Sequence, residues 1–161
     1  MEAKDILDGL VALFRSDILE TSAAFGDATI VVRPEALGKI VNALRQPPHE
    51  FAMLLDLTCV DYPERAERFE MIYHLYALKR KLRLRIKCAL DGGSPVVDSL
   101  TPYWKNAYWL EREVFDMFGV RFEGHPDLKR LFMNEEFEGY PLRKDYPLRK
   151  RQPMIPLRKS S

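Results

Sequence analysis

The spacing of apolar residues predicts two amphipathic helices in the N-terminal third of the chain. Residues 4–14 place their apolar side chains on one helical face. A second helix begins at Pro34, because proline suits the first helical position, and runs to Arg45, where the sequence Gln-Pro-Pro stops it. Between these helices, residues 18–33 contain two short extended runs around residues 25–27, a pattern that predicts a hairpin.

Three further strands are predicted after the second helix. Residues 51–60 form a buried apolar run, whereas residues 68–78 and 82–90 alternate apolar and polar positions. The connection at residues 79–81 is short and polar, which suits an antiparallel hairpin between the last two strands.

Residues 99–118 are predicted to be helical. Thr101 is a good N-cap, Pro102 a good first residue and Gly119 a good C-terminal cap, while Asn106 is the position at which the helix could break. The apolar residues form two adjacent stripes, so we expect burial on several sides. The element order predicts an α+β fold, with a mainly antiparallel or mixed sheet of about five strands packed with helices and followed by an extended C-terminal tail.

The end of the chain differs from the rest in charge and in pattern. The last 20 residues contain seven Lys and Arg and one acidic residue, whereas the rest of the chain is net acidic. Pro-Leu-Arg-Lys occurs three times, at residues 141–144, 147–150 and 156–159. Because each proline removes a backbone donor and favours an extended neighbour, no regular helix fits. We therefore predict a body at residues 1–138 and a tail at residues 139–161.

Two interpretations of this tail remain open. Its spaced tyrosines, leucines and arginines are typical of a segment that is mobile in the free chain and becomes ordered on a partner protein. The alternative is a disordered solubilising tail. On the first interpretation, deleting residues 139–161 leaves the body folded and weakens partner binding.

Composition excludes several classes of protein. The 161 residues are 47% hydrophobic and 30% charged, which excludes disorder of the whole chain. A net charge of +1 argues against a strongly basic nucleic-acid binder. Two cysteines, Cys59 and Cys88, cannot form a four-cysteine zinc or iron–sulfur site. We find no apolar run long enough for a membrane span and no secretory signal.

No convincing catalytic motif is present. The chain has no glycine-rich nucleotide loop, and the two cysteines lie in apolar strands rather than in a polar pocket. One group of residues could in principle bind a metal ion: Glu111, Asp116, His125 and Asp127. The preferred interpretation is structural, with Arg112, Lys129 and Arg130 pairing the acids while His125 orders a loop.

Several longer motifs occur in one order along the chain. Residues 111–132 begin with Glu-Arg-Glu and continue through Gly-His-Pro-Asp, and residues 138–148 read Glu-Gly-Tyr-Pro-Leu-Arg-Lys-Asp-Tyr-Pro-Leu. Residues 54–63 and 68–75 add two more motifs. Together they closely resemble the C-subunit family of NADH–quinone oxidoreductase, respiratory complex I, also called the 30 kDa subunit family. The resemblance covers roughly residues 51–150 in register.

This resemblance implies a non-redox structural subunit in the hydrophilic arm of the complex. It implies no catalytic residue and no cofactor on this chain, since FMN, iron–sulfur clusters, NADH and quinone bind other subunits. The most direct implied partner is the D subunit, which carries much of the quinone pocket, followed by the B and I subunits. The implied location is the cytoplasmic face of the cell inner membrane.

Other assemblies provide the alternatives to this function. An equivalent subunit of a ferredoxin-dependent photosynthetic NDH-type complex or of an energy-converting hydrogenase is the first of them. A free-standing RNA adaptor is a weaker third interpretation, because the aromatic residues of the body look buried rather than available for stacking on bases.

We expect the charged and aromatic residues of these motifs to form a partner interface or a structural charge network. They are Glu111, Arg112, Glu113, Asp116, His125, Asp127, Tyr140, Arg143, Lys144, Asp145, Tyr146 and Arg149.

Overall fold

The structure, a computed structural model, describes residues 3–24 and 26–154. Its helices and strands follow the predicted order, with two short strands added. In chain order they are α1 (Ala3–Leu13), β1 (Ile18–Ala24), β2 (Asp27–Val32), α2 (Leu37–Arg45), β3 (Met53–Asp61), β4 (Phe69–Ala77), β5 (Leu82–Leu90), β6 (Val96–Asp98), α3 (Ala107–Phe118) and β7 (Arg121–Glu123). Single-turn 3-10 helices at Pro34–Ala36 and Leu78–Arg80 precede α2 and β5.

Five strands form one mixed sheet in the order β1-β2-β5-β4-β3. β2 and β5 pair in parallel, and the other neighbours are antiparallel. A parallel pair needs a long crossover connection, which α2, β3 and β4 supply between β2 and β5. The predicted α+β fold with a mixed sheet is confirmed.

One face of this sheet is buried beneath the helices. Every second residue of β4, from Phe69 to Ala77, is buried, and the residues between them are half-buried, because successive side chains of a strand point to opposite faces. Leu10 of α1, Ile40 of α2 and Val114 of α3 join the same core. In the described part of the chain, no helix combines the length and hydropathy needed to span a bilayer.

The third helix is shorter than predicted. α3 begins at Ala107, whereas residues 101–106 lie mostly in turns, so Thr101 is not its N-cap and Asn106, the expected break, is the N-cap instead. A tertiary contact explains the shift, because the Asn106 side chain donates a hydrogen bond to the carbonyl of Leu54 in β3 (2.8 Å). Local propensity in the preceding turns is overridden by this packing.

Two three-residue strands, β6 and β7, were not predicted. They flank α3 in sequence and pair in parallel, with Val97 opposite Phe122. Strands this short show no alternation that a sequence pattern could reveal. Their pairing brings the segment after α3 back beside the segment before it.

Candidate functional site

The charged residues predicted on α3 fall into two groups. Glu111, Arg112 and Asp116 are buried, whereas Glu113 is exposed. Burying a charged side chain is costly unless hydrogen bonds or an opposite charge compensate. The partners of the three buried groups therefore decide what they do.

Asp116 anchors the loop that follows β7. Its Oδ2 accepts hydrogen bonds from the backbone N–H groups of Leu131 (3.0 Å), Phe132 (2.7 Å) and Met133 (2.9 Å), and its Oδ1 accepts one from Arg130 (2.9 Å). Burial alone would raise the pKa of this carboxyl, but the loop N–H groups and the guanidinium outweigh it, so the pKa lies below its ordinary value. The carboxylate is charged and its acceptor positions are occupied.

Two arginines extend this arrangement through backbone carbonyls. Arg130 also donates to the carbonyls of Phe137 (3.1 Å) and Gly139 (3.0 Å), which ties the start of the tail to the loop. Arg112 donates to the carbonyls of Lys129 (3.0 Å) and of Arg130 (2.8 Å). The partners of Arg112 are thus carbonyls, and the interpretation that it pairs with the neighbouring acids is wrong, whereas Arg130 does pair with an acid.

Glu111 lies in the interior at the start of α3, with no exposed surface. Its Oε1 accepts the backbone N–H of Leu100 (2.6 Å), and its Oε2 accepts the hydroxyl of Ser99 (2.7 Å). Burial raises the pKa of this carboxyl to about 7, because the two hydrogen bonds offset only part of the cost of removing the charge from water.

We expect the pKa of Glu111 to make stability fall with rising pH. The folded protein holds this proton up to pH about 7, whereas an unfolded glutamate releases it near 4.5. Between these values the folded state binds more protons, so the free energy of unfolding decreases as pH rises, by on the order of 3 kcal/mol. Glu111→Gln, which keeps the shape, should lack this decrease when urea unfolding is measured across the range. Parallel pH profiles for the two proteins would contradict the assignment.

His125 and Asp127 order the turn after β7. The His125 Nδ1 accepts the N–H of Asp127 (3.0 Å), which leaves Nε2 to donate to the carbonyl of Tyr108 (3.1 Å). Asp127 accepts the Tyr108 hydroxyl (3.0 Å) and pairs with Lys129 (2.8 Å). Among residues 3–24 and 26–154, no three His, Cys, Asp or Glu side chains come together in a way that could hold a metal ion.

Both cysteines are free and buried in the sheet. Burial raises the pKa of Cys59 and of Cys88 to about 12 each. Thiolates are the reactive form of cysteine, so these two side chains are packing residues near neutral pH.

A third buried acidic residue, Asp61 at the end of β3, was not singled out from the sequence. Arg68, which immediately precedes β4, donates to both of its oxygens (2.6 and 2.7 Å). These bonds hold the pKa of Asp61 below its ordinary value. An aspartate at the end of a mostly apolar strand, with an arginine seven positions later, was the signal that could have revealed the pair.

The first part of the tail occupies a groove on the body, which we call the tail groove and define by Asp61, Arg68 and the end of α3 at Phe118 and Gly119. The backbone N–H of Lys144 donates to Asp61 (2.7 Å), and Asp145 pairs with Arg68 (2.8 Å). Arg143 donates to the carbonyl of Phe118 (2.5 Å). Those predicted tail residues are therefore brought together on the chain's own body.

Gly119 lets the tail approach this closely. It ends α3 with a φ of 76°, and a Cβ atom at this position would lie 2.5 Å from the ring of Tyr140. The guanidinium of Arg143 lies over the same ring, 4.6 Å from its centroid. Gly119 therefore has two roles: it caps α3 in the left-handed conformation, and its lack of a side chain leaves room for the Tyr140 ring.

Comparison with known proteins adds the decisive observation. The family model of the respiratory-chain NADH dehydrogenase 30 Kd subunit matches residues 30–152. The chain belongs to this family. It is 46% identical over 144 residues to the C 2 subunit of the NADH-quinone oxidoreductase of Rhizobium meliloti, covering 89% of this chain and 79% of the relative. It is 44% identical over 148 residues to the C subunit of the Caulobacter vibrioides enzyme, covering 91% of this chain and 75% of the relative.

Solved structures show the same fold. The chain is similar to the trypsin-resistant fragment (1-134) of Nqo5, with a TM-score of 0.69 and 28% identity, over 80% of this chain and all of that fragment. It is also similar to a chain of an archaeal membrane-bound sulfane sulfur reductase, with a TM-score of 0.79 and 21% identity, over 90% of this chain and 85% of the other. The second likeness concerns the fold alone.

The family match extends through the tail groove and both described copies of Pro-Leu-Arg-Lys. The second copy is exposed. Leu148 and Met154 are almost fully accessible, at 99% and 95%, and Arg149 is exposed, whereas Tyr146 stacks on Phe137 with 5.9 Å between ring centroids. The expectation that the tail packs only on a partner thus fails for its first half. The third copy, at residues 156–159, lies outside the described residues.

Proposed function

We propose that this chain is a non-redox structural subunit in the hydrophilic arm of a proton-translocating NADH:quinone oxidoreductase. Its identity of 44–46% with C-subunit chains over nine-tenths of its length carries the proposal. In this role the chain supports electron transfer from NADH to quinone while neighbouring subunits hold the FMN, the iron–sulfur clusters and the quinone. The complex is the enzyme, and this chain supplies no catalytic residue.

The occupied hydrogen-bonding positions of the family motif support a structural role. The oxygens of Asp116 accept hydrogen bonds from three backbone N–H groups and from Arg130, and Arg112 donates two hydrogen bonds to backbone carbonyls. The two nitrogens of His125 are likewise engaged by the turn. Groups whose donors and acceptors are already paired inside the chain hold a surface in shape rather than bind a cofactor.

The surface held in shape in this way is the proposed partner interface. Arg130 connects the α3 network to Gly139, where the tail begins, and Trp109 and Phe132 are exposed aromatic side chains beside the same network. Aromatic residues and arginines dominate binding energy at protein interfaces. The D subunit, which we call the quinone-pocket subunit, is the proposed direct partner, with the B and I subunits nearby. The chain would lie peripherally at the cytoplasmic face of the cell inner membrane.

The alternative assembly is one that takes electrons from another donor, such as ferredoxin, or an energy-converting hydrogenase. The fold does not separate these assemblies, because a sulfane sulfur reductase chain has it too. The sequence identity with subunits named for NADH and quinone favours the NADH-linked complex.

Copurification tests the function and the role of the tail together. The full chain, tagged at its N-terminus and expressed in its native cells, should retain the quinone-pocket and NADH-binding subunits, and the eluate should reduce quinone with NADH. Deleting residues 147–161 removes the exposed Leu148, Arg149 and Met154 together with the rest of the chain, and should weaken retention of the quinone-pocket subunit about 100-fold. The deletion should leave the melting temperature unchanged, because the tail groove stays occupied.

Matched substitutions separate a specific role of the tail from general surface effects. Leu148→Ser with Arg149→Ser should reproduce the loss, whereas Leu13→Ser with Arg15→Ser, an exposed pair on the α1 side, should not. Retention of the quinone-pocket subunit by the deletion variant would contradict the tail interface. Copurification of a ferredoxin-linked assembly would support the alternative, and stoichiometric iron or flavin on the purified chain would contradict a non-redox subunit.

A further inference from the structure

The tail contains the same five residues twice, six positions apart, while the body has one tail groove. Tyr-Pro-Leu-Arg-Lys stands at residues 140–144 and again at residues 146–150. Only the first copy lies in the groove. A shift of the chain by six residues would bring the second copy to the same place, and lengthening a flexible connection by that amount costs little free energy.

The contacts that the first copy makes in the tail groove would be equally available to the second copy. The backbone N–H of Leu142 donates to the carbonyl of Met117 (3.1 Å), and that of Lys144 donates to Asp61 (2.7 Å). The guanidinium of Arg143 reaches the end of α3. Because the second copy has the same residues in the same order, it could make the same contacts.

The residues flanking the copies do differ, and both differences favour the first. Asp145 follows the first copy and pairs with Arg68, whereas Arg151 follows the second and would bring a like charge to Arg68. Gly139 precedes the first copy with a φ of 99°, a backbone conformation that glycine adopts readily. In the shifted register Asp145 would have to adopt that conformation.

We propose that the tail groove can hold either copy and that Asp145, with Gly139, selects the first, so that the second copy is presented to the partner. The presented surface consists of the exposed side chains of Leu148, Arg149 and Arg151. It fits a partner with an apolar pocket rimmed by carboxylates. Only the identity of that partner rests on the proposed function.

Moving both flanking features to the second copy tests the selection. The double variant Asp145→Gly with Arg151→Asp gives the second copy a preceding glycine and a following aspartate. Amide hydrogen exchange in the full chain reports the register, because the Leu142 amide is bonded in the docked copy and the equivalent Leu148 amide has no such partner among the described residues. Protection should move from Leu142 to Leu148, with a drop of at least about fivefold at Leu142.

A control variant removes the second copy as a competitor. With Asp145→Gly and Arg149→Asp, the second copy can no longer compete for the tail groove, so the Leu142 amide should keep most of its protection and the Leu148 amide should gain none. The proposal is overturned if the first double variant keeps Leu142 protected, if Leu148 gains nothing there, or if both amides already exchange equally in the natural protein. None of these readings involves a partner, so the failure of the proposed function would show separately, as lost copurification with the register intact.

Discussion

Asp116→Ala is expected to lower the free energy of unfolding by about 4–5 kcal/mol, the largest effect of any substitution considered. The side chain has no exposed surface and satisfies three backbone N–H groups of the loop at residues 131–133. Its removal also leaves the half-buried Arg130 guanidinium without its carboxylate. Urea unfolding at neutral pH measures the loss.

Glu113→Ala is the matched control for this variant. It removes the same charge from the same helix at an exposed position, so the expected change is within about 0.5 kcal/mol. A folded Asp116→Ala protein of nearly unchanged stability would show that the loop at residues 131–133 does not depend on the carboxylate. In the complex, Asp116→Ala should also weaken partner binding, since the loop at residues 131–133 shapes the proposed interface.

Asp61→Ala is expected to lower the free energy of unfolding by about 4 kcal/mol for a related reason. Its side chain is fully buried, receives both branches of the Arg68 fork and also accepts the Lys144 backbone N–H. Without it, a mostly buried guanidinium loses its main partner and the tail loses an anchor. The variant should therefore lose both stability, measured by urea unfolding, and exchange protection at Lys144.

Asp145→Ala separates the two contributions of this cluster. Asp145 contacts the same Arg68, but its side chain is 58% exposed, and exposed ion pairs contribute about 0.2–1 kcal/mol. Stability should thus hardly change while the selection of the tail copy weakens. Equal losses for Asp61→Ala and Asp145→Ala would contradict the view that the buried member holds the cluster together.

Asp116 and Asp61, two of the three buried acidic residues, have related structural roles. Asp116 fixes a loop that lacks regular secondary structure, and Asp61 fixes the tail against the edge of the sheet. Segments without helix or strand hydrogen bonds need side-chain acceptors to satisfy their backbone donors. The surface that we propose for the partner is therefore shaped in part by charges that are buried within the chain.

The pH dependence sets Glu111 apart from these two. Asp61 and Asp116 have lowered pKa values because donors stabilise their charged form, so their contribution is lost only as the solution becomes acidic. Glu111 has a raised pKa and acts in the opposite direction, toward neutral pH. Comparing each variant with the natural protein across pH distinguishes the two behaviours.

The sequence alone was enough for the elements whose burial repeats locally. The alternation at residues 68–78 and 82–90 predicted β4 and β5, and the helical spacing at residues 4–14 predicted α1, because the faces of such elements follow directly from residue order. The motif at residues 111–132 was sufficient to indicate the family, which the family model confirms. Boundaries that depend on packing, such as the start of α3, were less predictable.

Only the tertiary structure decided which polar residues meet. Arg68 and Asp145 are 77 positions apart, and Lys144 lies 83 positions from Asp61, so no local pattern relates them. Their contact depends on the register of the β3–β4 hairpin and on the glycine that ends α3. The same long-range geometry packs residues 140–145 of the predicted tail against the body, while Leu148 and Arg149 stay exposed.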